Sequence, residues 1–261
     1  MNFLIKSRAI GVGLVLALLI LWELSARLKW VDSTLWPPFS SVLAEFWDQF
    51  VHQDLLVNVW KSLQRMFIGY LSAAAIGVGI GLLMGYYRFL YRLLEPLTEA
   101  LRPIPSPAYI PIAILFLGIG DQMKIAMITL GCVFPILLNT YSGVRSIDPV
   151  QINTGRTFGL HRTQILWQIV VPASMPYIFT GLRISLAVAL ILAIISEMVA
   201  ANDGVGYFIL SMEQASQVAP MYAGIITLAL LGYGLNRIFL SVEHWSLYWH
   251  YIATEVEDGN V

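Results

Sequence analysis

The sequence predicts an all-α protein embedded in a membrane, with about six transmembrane helices in a single domain. Three observations carry this expectation. The 261 residues are 58% hydrophobic and 12% charged, where soluble domains carry roughly 25% charged residues. Mean hydropathy is +0.73. The apolar residues also gather into runs able to cross about 30 Å of hydrocarbon, which takes roughly 20 residues of helix. A formal net charge of −1 argues against nucleic acid as a partner, which calls for a basic footprint. Cys132 is the one cysteine; it forms no internal disulfide and reads as a small packing residue.

The first span is expected over residues 9–28. Lys6 and Arg8 before an apolar run imitate a signal peptide, but the run continues through Glu23 to Leu28 without a convincing cleavage site, so the span is read as retained. Glu23 and Arg27, four apart, can pair. The segment "PPFSSVLAEFWDQF" then forms an amphipathic helix with Val42, Leu43, Phe46, Trp47, Phe50 and Val51 on one face and Glu45, Asp48 and Gln49 on the other. It either lies flat in the outer headgroup region or packs as a lid on the protein's own outer surface.

The second span is expected over 66–86. Gly69, Ala73, Gly77, Gly81 and Gly85 recur every four residues, a smooth strip that lets another helix approach closely. The third, over 108–118, is short and has Pro103, Pro105, Pro107 and Pro111 at its inner end, each without a backbone donor. Broken backbone at membrane depth is tolerated where it lines a cavity, which makes Pro107, Tyr109 and Pro111 candidates for a pathway wall. The alternative is a short helix whose proline-rich lead-in stays in the cytoplasmic interface.

The fourth span, 123–144, carries Asn139, a further pathway candidate. The fifth, 175–200, carries Glu197, and an ionisable group within a span is a functional hypothesis by default; gating and structural hydrogen bonding both remain open. The sixth is expected over 222–242. Arg183 and Arg237 read as snorkelling from the inner ends of their spans. Orientation follows the positive-inside rule. Lys6, Arg8, Arg88, Arg92, Arg102, Arg145, Arg156 and Arg162 fall on one side with both termini, while Lys29, Lys61, Arg65 and Lys124 are exceptions outside.

Several motifs are decoys. "GIGD" (118–121) matches an intramembrane aspartyl-protease signature, yet no second aspartate lies in the other spans, and that chemistry needs two. Asp121 reads as a turn residue. His52, His161, His244 and His250 have no zinc-binding spacing, and no phosphate-binding Gly-Lys pair exists, so metal and cofactor binding are not expected of this chain.

Between the fourth and fifth spans lies "DPVQINTGRTFGLHRTQILWQIVVP", residues 148–172. Asp148 suits an N-cap, Pro149 the first helical position, and Gln151 an approximate capping box. Gly159 suits a left-handed stop. "QILWQIVV" forms a second helical piece that Pro172 interrupts. A helix, a glycine bend and a helix on the cytoplasmic surface suit docking into a partner's groove.

These residues resemble the permease subunits of bacterial ATP-binding-cassette (ABC) importers, whose cytoplasmic signature is Glu-Ala-Ala, three residues, Gly, and a later apolar-x-x-Pro. Asn153, Thr154 and Gly155 take the Glu-Ala-Ala places as departures, Gly159 the glycine, and Ile169 to Pro172 the ending. "LRPIPSPAYIPIAILFLGIGDQMKI", "FPILLNTYSGVRSID", "VVPASMPYIFTGLRISL" and "ISEMVAANDGVGYFI" look like the branch importing nitrate, sulfonates, taurine or bicarbonate. The resemblance implies a type I importer (MetI-like) permease fold with both termini cytoplasmic, in the bacterial inner membrane. It implies a second permease copy, two ATPase subunits carrying ATP and Mg, and a periplasmic or lipid-anchored solute-binding protein. The ATPase-coupling residues it implies are Asn153, Thr154, Gly155, Arg156, Phe158, Gly159, Leu160, His161 and Pro172. An ion-gradient-driven secondary transporter and an intramembrane enzyme are the weighed alternatives.

Overall fold

A computed structural model describes residues 2–30, 35–52 and 55–249; the C-terminus expected to be cytoplasmic lies outside them, as does His250. The described residues form helices α1 (Asn2–Arg27), α2 (Phe39–His52), α3 (Leu55–Tyr86), α4 (Arg88–Leu101), α5 (Ile110–Leu117) and α6 (Asp121–Arg145), then α7 (Pro149–Thr157), α8 (Arg162–Ile165), α9 (Val171–Ala200), α10 (Val205–Gln214) and α11 (Val218–Ser246). Among them, five spans are long and apolar enough to cross a membrane. A sixth results if the bent pair Arg88–Leu101 and Ser106–Leu117 is one broken span.

The glycine strip on α3 finds its partner in α6. A Cβ on Gly69 would come within 2.7 Å of Ile128 Cβ, on Gly77 within 2.9 Å of Ile136 Cβ, and on Gly81 within 2.7 Å of Thr140 Cβ, while on Gly85 it would run into Val144. Both series rise together every four residues, so the helices run parallel with backbones in near contact. Parallel neighbours need a return crossing, which α4 and α5 supply. α9 packs antiparallel on the other side of α6: Gly181 lies against Asn139 and Ile136, and Gly143 against Tyr177. Cys132 Sγ donates to Ser185 O at 3.3 Å and Ser185 Oγ to Cys132 O at 3.0 Å. The buried cysteine is the packing residue its sequence context indicates.

Three details differ from the sequence reading. The second span begins at Leu55, eleven residues before the apolar run. α4 was not anticipated, because its apolar positions alternate with Arg88, Arg92, Glu95 and Glu99. It meets the following segment at a bend of 87°. Pro172 does not interrupt the fifth span: residues Arg162–Ala200 run as one span, with a π-helical turn over Leu166–Val170 just before the proline. A proline ring clashes with the carbonyl four residues back, and a widened turn relieves that clash.

On α2 the buried positions are Val42 and Gln49, while Leu43, Trp47 and Phe50 stay exposed; the helix packs on α11 with its most apolar edge outward. It is anchored to α1 through Glu23, which accepts from Ser40 N at 2.9 Å and pairs with Arg27 at 2.6 Å.

Candidate functional site

The elbow between α6 and α9 is built by local signals. Asp148 Oδ1 accepts from Val150 N at 2.8 Å, with Pro149 next in line. The reciprocal capping glutamine belongs to the following helix rather than to this one: Gln164 Oε1 accepts from His161 N at 2.8 Å. α7 ends in a paired stop, with Leu160 N donating to Gly155 O at 3.1 Å and Gly159 N to Arg156 O at 2.9 Å. Gly159 stands at φ +78°, a conformation that costs side-chain-bearing residues. Gly155 is buried, and a Cβ there would come within 2.6 Å of Ile169 Cδ1.

The elbow is fastened to the bundle. Val144, Ile147, Ile165 and Val170 form a buried cluster beneath it, and Tyr86 OH at the end of α3 donates to Arg162 O at 3.1 Å. Its outer surface is open, with Phe158 81% and Val150 65% exposed. Asn153, Thr154, Arg156 and His161 are exposed as well, and Leu160 is half-buried. A cavity of about 580 Å³ on one flank of α7 is lined by Arg88, Arg145, Asn153, Arg156 and Arg162. The opposite flank opens into an apolar cavity of about 640 Å³ lined by Phe158, Ile169, Pro172 and Trp249. Asn153 Oδ1 accepts from Arg156 Nη1 at 3.3 Å, so the position where the family pattern has Glu faces this chain's own arginines.

A second charged cluster sits at the other end of the bundle. Arg65 on α3, only 4% exposed, donates to Asp121 Oδ1 at 2.8 Å, to Glu197 Oε1 at 3.0 Å and to Asp203 Oδ1. Glu197, 1% exposed, also accepts from Ser62 Oγ at 2.7 Å and from Gly206 N at 3.0 Å. Gly204 stands at φ +103°, where any Cβ would run into the Glu197 carboxylate. Lys124, also buried, donates to Ile119 O at 3.3 Å and lies 3.7 Å from Asp121. The network ties α3, α6 and α9 to the loop entering α10.

The remaining pathway candidates are not gathered around Glu197. Pro107 and Pro111 are exposed, and Tyr109 is half-buried beside Ile110, Met123 and Met127. Asn139 Nδ2 donates to Pro135 O at 2.8 Å within the α6–α9 contact. The break before α5 does lie within the bundle, because Ser106 packs against Gly131, midway along α6. The sequence reading missed Arg65 as the organiser of the far-end cluster. The available signal was two opposite charges at the same expected membrane side, Arg65 just before the second expected span and Glu197 within the fifth.

A family model described as "Binding-protein-dependent transport system inner membrane component" matches residues 77–245. The chain belongs to this family. The permease is 32% identical over 255 residues to a putative ABC transporter permease of Methanocaldococcus jannaschii, covering 94% of this chain and 93% of that one. It is 28% identical to the taurine transport system permease of Escherichia coli over 92% of this chain and 90% of the relative. Identity is also 28% to the nitrate import permease of a Synechocystis strain, over 93% and 91%. In fold it is similar to the methionine ABC transporter in an inward-facing conformation, with TM-score 0.65 and 22% identity, over 73% of this permease and 95% of that chain. This is the type I importer permease fold. The permease is thus a transmembrane subunit of an ABC import system, and the ion-gradient alternative finds no support.

Proposed function

We propose that residues 148–172 are the coupling segment through which a separate ATPase drives this permease. The observation that carries the reading is the combination of a rigid elbow and an unpartnered outer face: Phe158 and Val150 stand exposed on a helix held by a capped start, a glycine stop and a buried cluster. Exposed aromatic residues on a fixed frame make efficient docking anchors. The coupling surface comprises Asn153, Thr154, Arg156, Phe158 and His161, with Gly155, Gly159, Leu160 and Pro172 shaping it.

A push on the elbow reaches the spans directly. α6 ends at Arg145, close before α7, and α8 continues without a break into α9. Because α3, α6 and α9 pack backbone against backbone, they move together, and a rigid displacement at one end reorients the other. There the Arg65 cluster clamps α3, α9 and the start of α10, so Glu197 acts in an outer closure whose members shift as a unit. Pro107, Tyr109, Pro111 and Asn139 belong to the pathway side of this body.

The partners in this reading are two ATPase subunits holding ATP and Mg, a second permease copy and a solute-binding protein, in a bacterial cytoplasmic membrane with the elbow inside. The arginines at the elbow end support that orientation. Of the four exceptions, Arg65 and Lys124 lie beside carboxylates and weigh little as loop charges, which leaves Lys29 and Lys61 against the larger group of arginines at the elbow end. Relatives named for taurine, aliphatic sulfonates and nitrate support a small organic or inorganic anion as the solute, with bicarbonate in the same class.

Site-directed cross-linking tests the docking. Cys132 is fully buried, so a Phe158→Cys variant presents its new thiol to a bifunctional reagent. A covalent product with a co-expressed ATP-binding subunit, diminished when nucleotide changes the docked geometry, is expected. A cross-link to lipid or to nothing contradicts the assignment.

A further inference from the structure

Three polar side chains on the face shared by α9 and α11 have no partner among the described residues, and they line one open cavity. Arg183 and Thr180 project from α9, Asn236 and Glu243 from α11, around about 420 Å³ of space. Thr180 is satisfied within its own helix, donating to Pro176 O at 2.9 Å. Glu243 Oε2 is buried and accepts no hydrogen bond. Arg183 is exposed and makes no ion pair among the described residues, and it does not reach Glu243 across the space they share. A second cavity of about 200 Å³, lined by Arg183, Asn236 and Leu190, continues the first.

Depth makes this costly. Gly181 packs against Ile136 and Asn139 of α6, which places Arg183, two residues further along the antiparallel α9, roughly 14 Å from the elbow end of α6 at about 1.5 Å per residue. That is deeper than the sequence reading of a residue snorkelling from the inner end of its span. Side chains on a helix lean toward its N-terminus, so Arg183 points back toward Thr180 and Glu243. Unpaired ionisable groups at such depth are expensive and mark solute pathways. A buried carboxylate oxygen without a donor is costly as well.

We propose that this cavity between α9 and α11 is a solute subsite for a small zwitterion, whose anionic group sits on Arg183 and whose ammonium sits on Glu243. The inference rests on the permease reading and narrows its solute class to anions that also carry an ammonium, which sets nitrate and bicarbonate aside. A bare anion satisfies Arg183 but is repelled by Glu243 and leaves the orphan oxygen without a donor. A cation has the reverse fault. A molecule carrying both charges completes the set, with Asn236 able to donate to one end or accept from the other. The volume falls within the range of small-molecule sites, about 300–1,000 Å³.

Charge-matched solute pairs test this. Full-length permease, purified with its second copy and accompanying ATP-binding subunit in nanodiscs, is titrated with radiolabelled taurine against isethionate and glycine against glycolate, pairs in which a hydroxyl replaces the ammonium. The wild type is expected to prefer the zwitterion of at least one pair. Glu243→Gln weakens that zwitterion about tenfold and leaves its hydroxyl analogue unchanged, the scale of one charge-assisted hydrogen bond. Arg183→Gln weakens both members about tenfold, and Arg183→Lys recovers part of that loss. Equal binding within each pair, no binding of any of the four, or equal weakening of both members by Glu243→Gln overturns the proposal. Presence or absence of the ATP-binding subunit in the purified complex is scored separately, so a failure of docking is distinguishable from a failure of the subsite.

Discussion

At the end of the bundle away from the elbow, one buried arginine meets three carboxylates, and Glu197 is met by a hydroxyl, a guanidinium and a backbone N–H. At the elbow, four arginines line a single cavity whose walls hold no acidic residue, and Phe158 stands in the open. The contrast separates two uses of charge. A saturated network fixes the relative position of the helices that contribute to it, and removing one member strands the rest. An unsaturated, exposed surface contributes little to the fold and is available to a partner, so its loss is felt in assembly.

The sharpest break of this contrast is Arg65→Ala. It strands Glu197 and is expected to cost about 3–5 kcal/mol, the penalty for an uncompensated buried charge, read as a large drop in thermal midpoint of the detergent-solubilised chain; a shift no larger than that of an exposed-residue variant would place the network among ornaments of the surface. Gly204→Ala comes next. Its Cβ meets the Glu197 carboxylate at a positive φ, and a loss of about 2–3 kcal/mol is expected.

At the elbow the readout changes from stability to assembly. Phe158→Ala should leave the thermal midpoint within about 0.5 kcal/mol of wild type while weakening binding to the ATP-binding subunit by about 2 kcal/mol, as for an interface anchor. Unchanged affinity in a pull-down titration would remove Phe158 from the docking face. Gly159→Val strains the left-handed stop by about 1–2 kcal/mol and is expected to impair docking with membrane insertion intact. The smallest effect sharpens the role of Asn153. Asn153→Glu gains an exposed pair with Arg156 worth under about 1 kcal/mol, and measurably tighter ATPase binding would instead show that this carboxylate reaches the partner.

The elbow was the more legible end because its signals are local. Asp148, Pro149 and Gly159 act within a few residues of themselves, and the four-residue spacing of glycines on α3 announced a close helix contact without naming α6. The Arg65 cluster joins residues 132 apart in sequence, and nothing local at either position states the pairing. α4 was missed for a different reason: its charges break the apolar run that the search for spans relies on, though its two-sided pattern belongs to a broken crossing. α2 shows the limit of reading a face from hydrophobicity alone. Gln49 is buried and Trp47 exposed, because what α2 packs against, α11, is not visible in its own segment.

Uptake into proteoliposomes tests the coupling most directly. The chain reconstituted with its ATP-binding subunit and solute-binding protein is predicted to accumulate solute only with ATP inside the reaction, and to lose that accumulation when the ATP-binding subunit is omitted. Accumulation by this chain alone, driven by an ion gradient and indifferent to Phe158→Ala, would contradict the account.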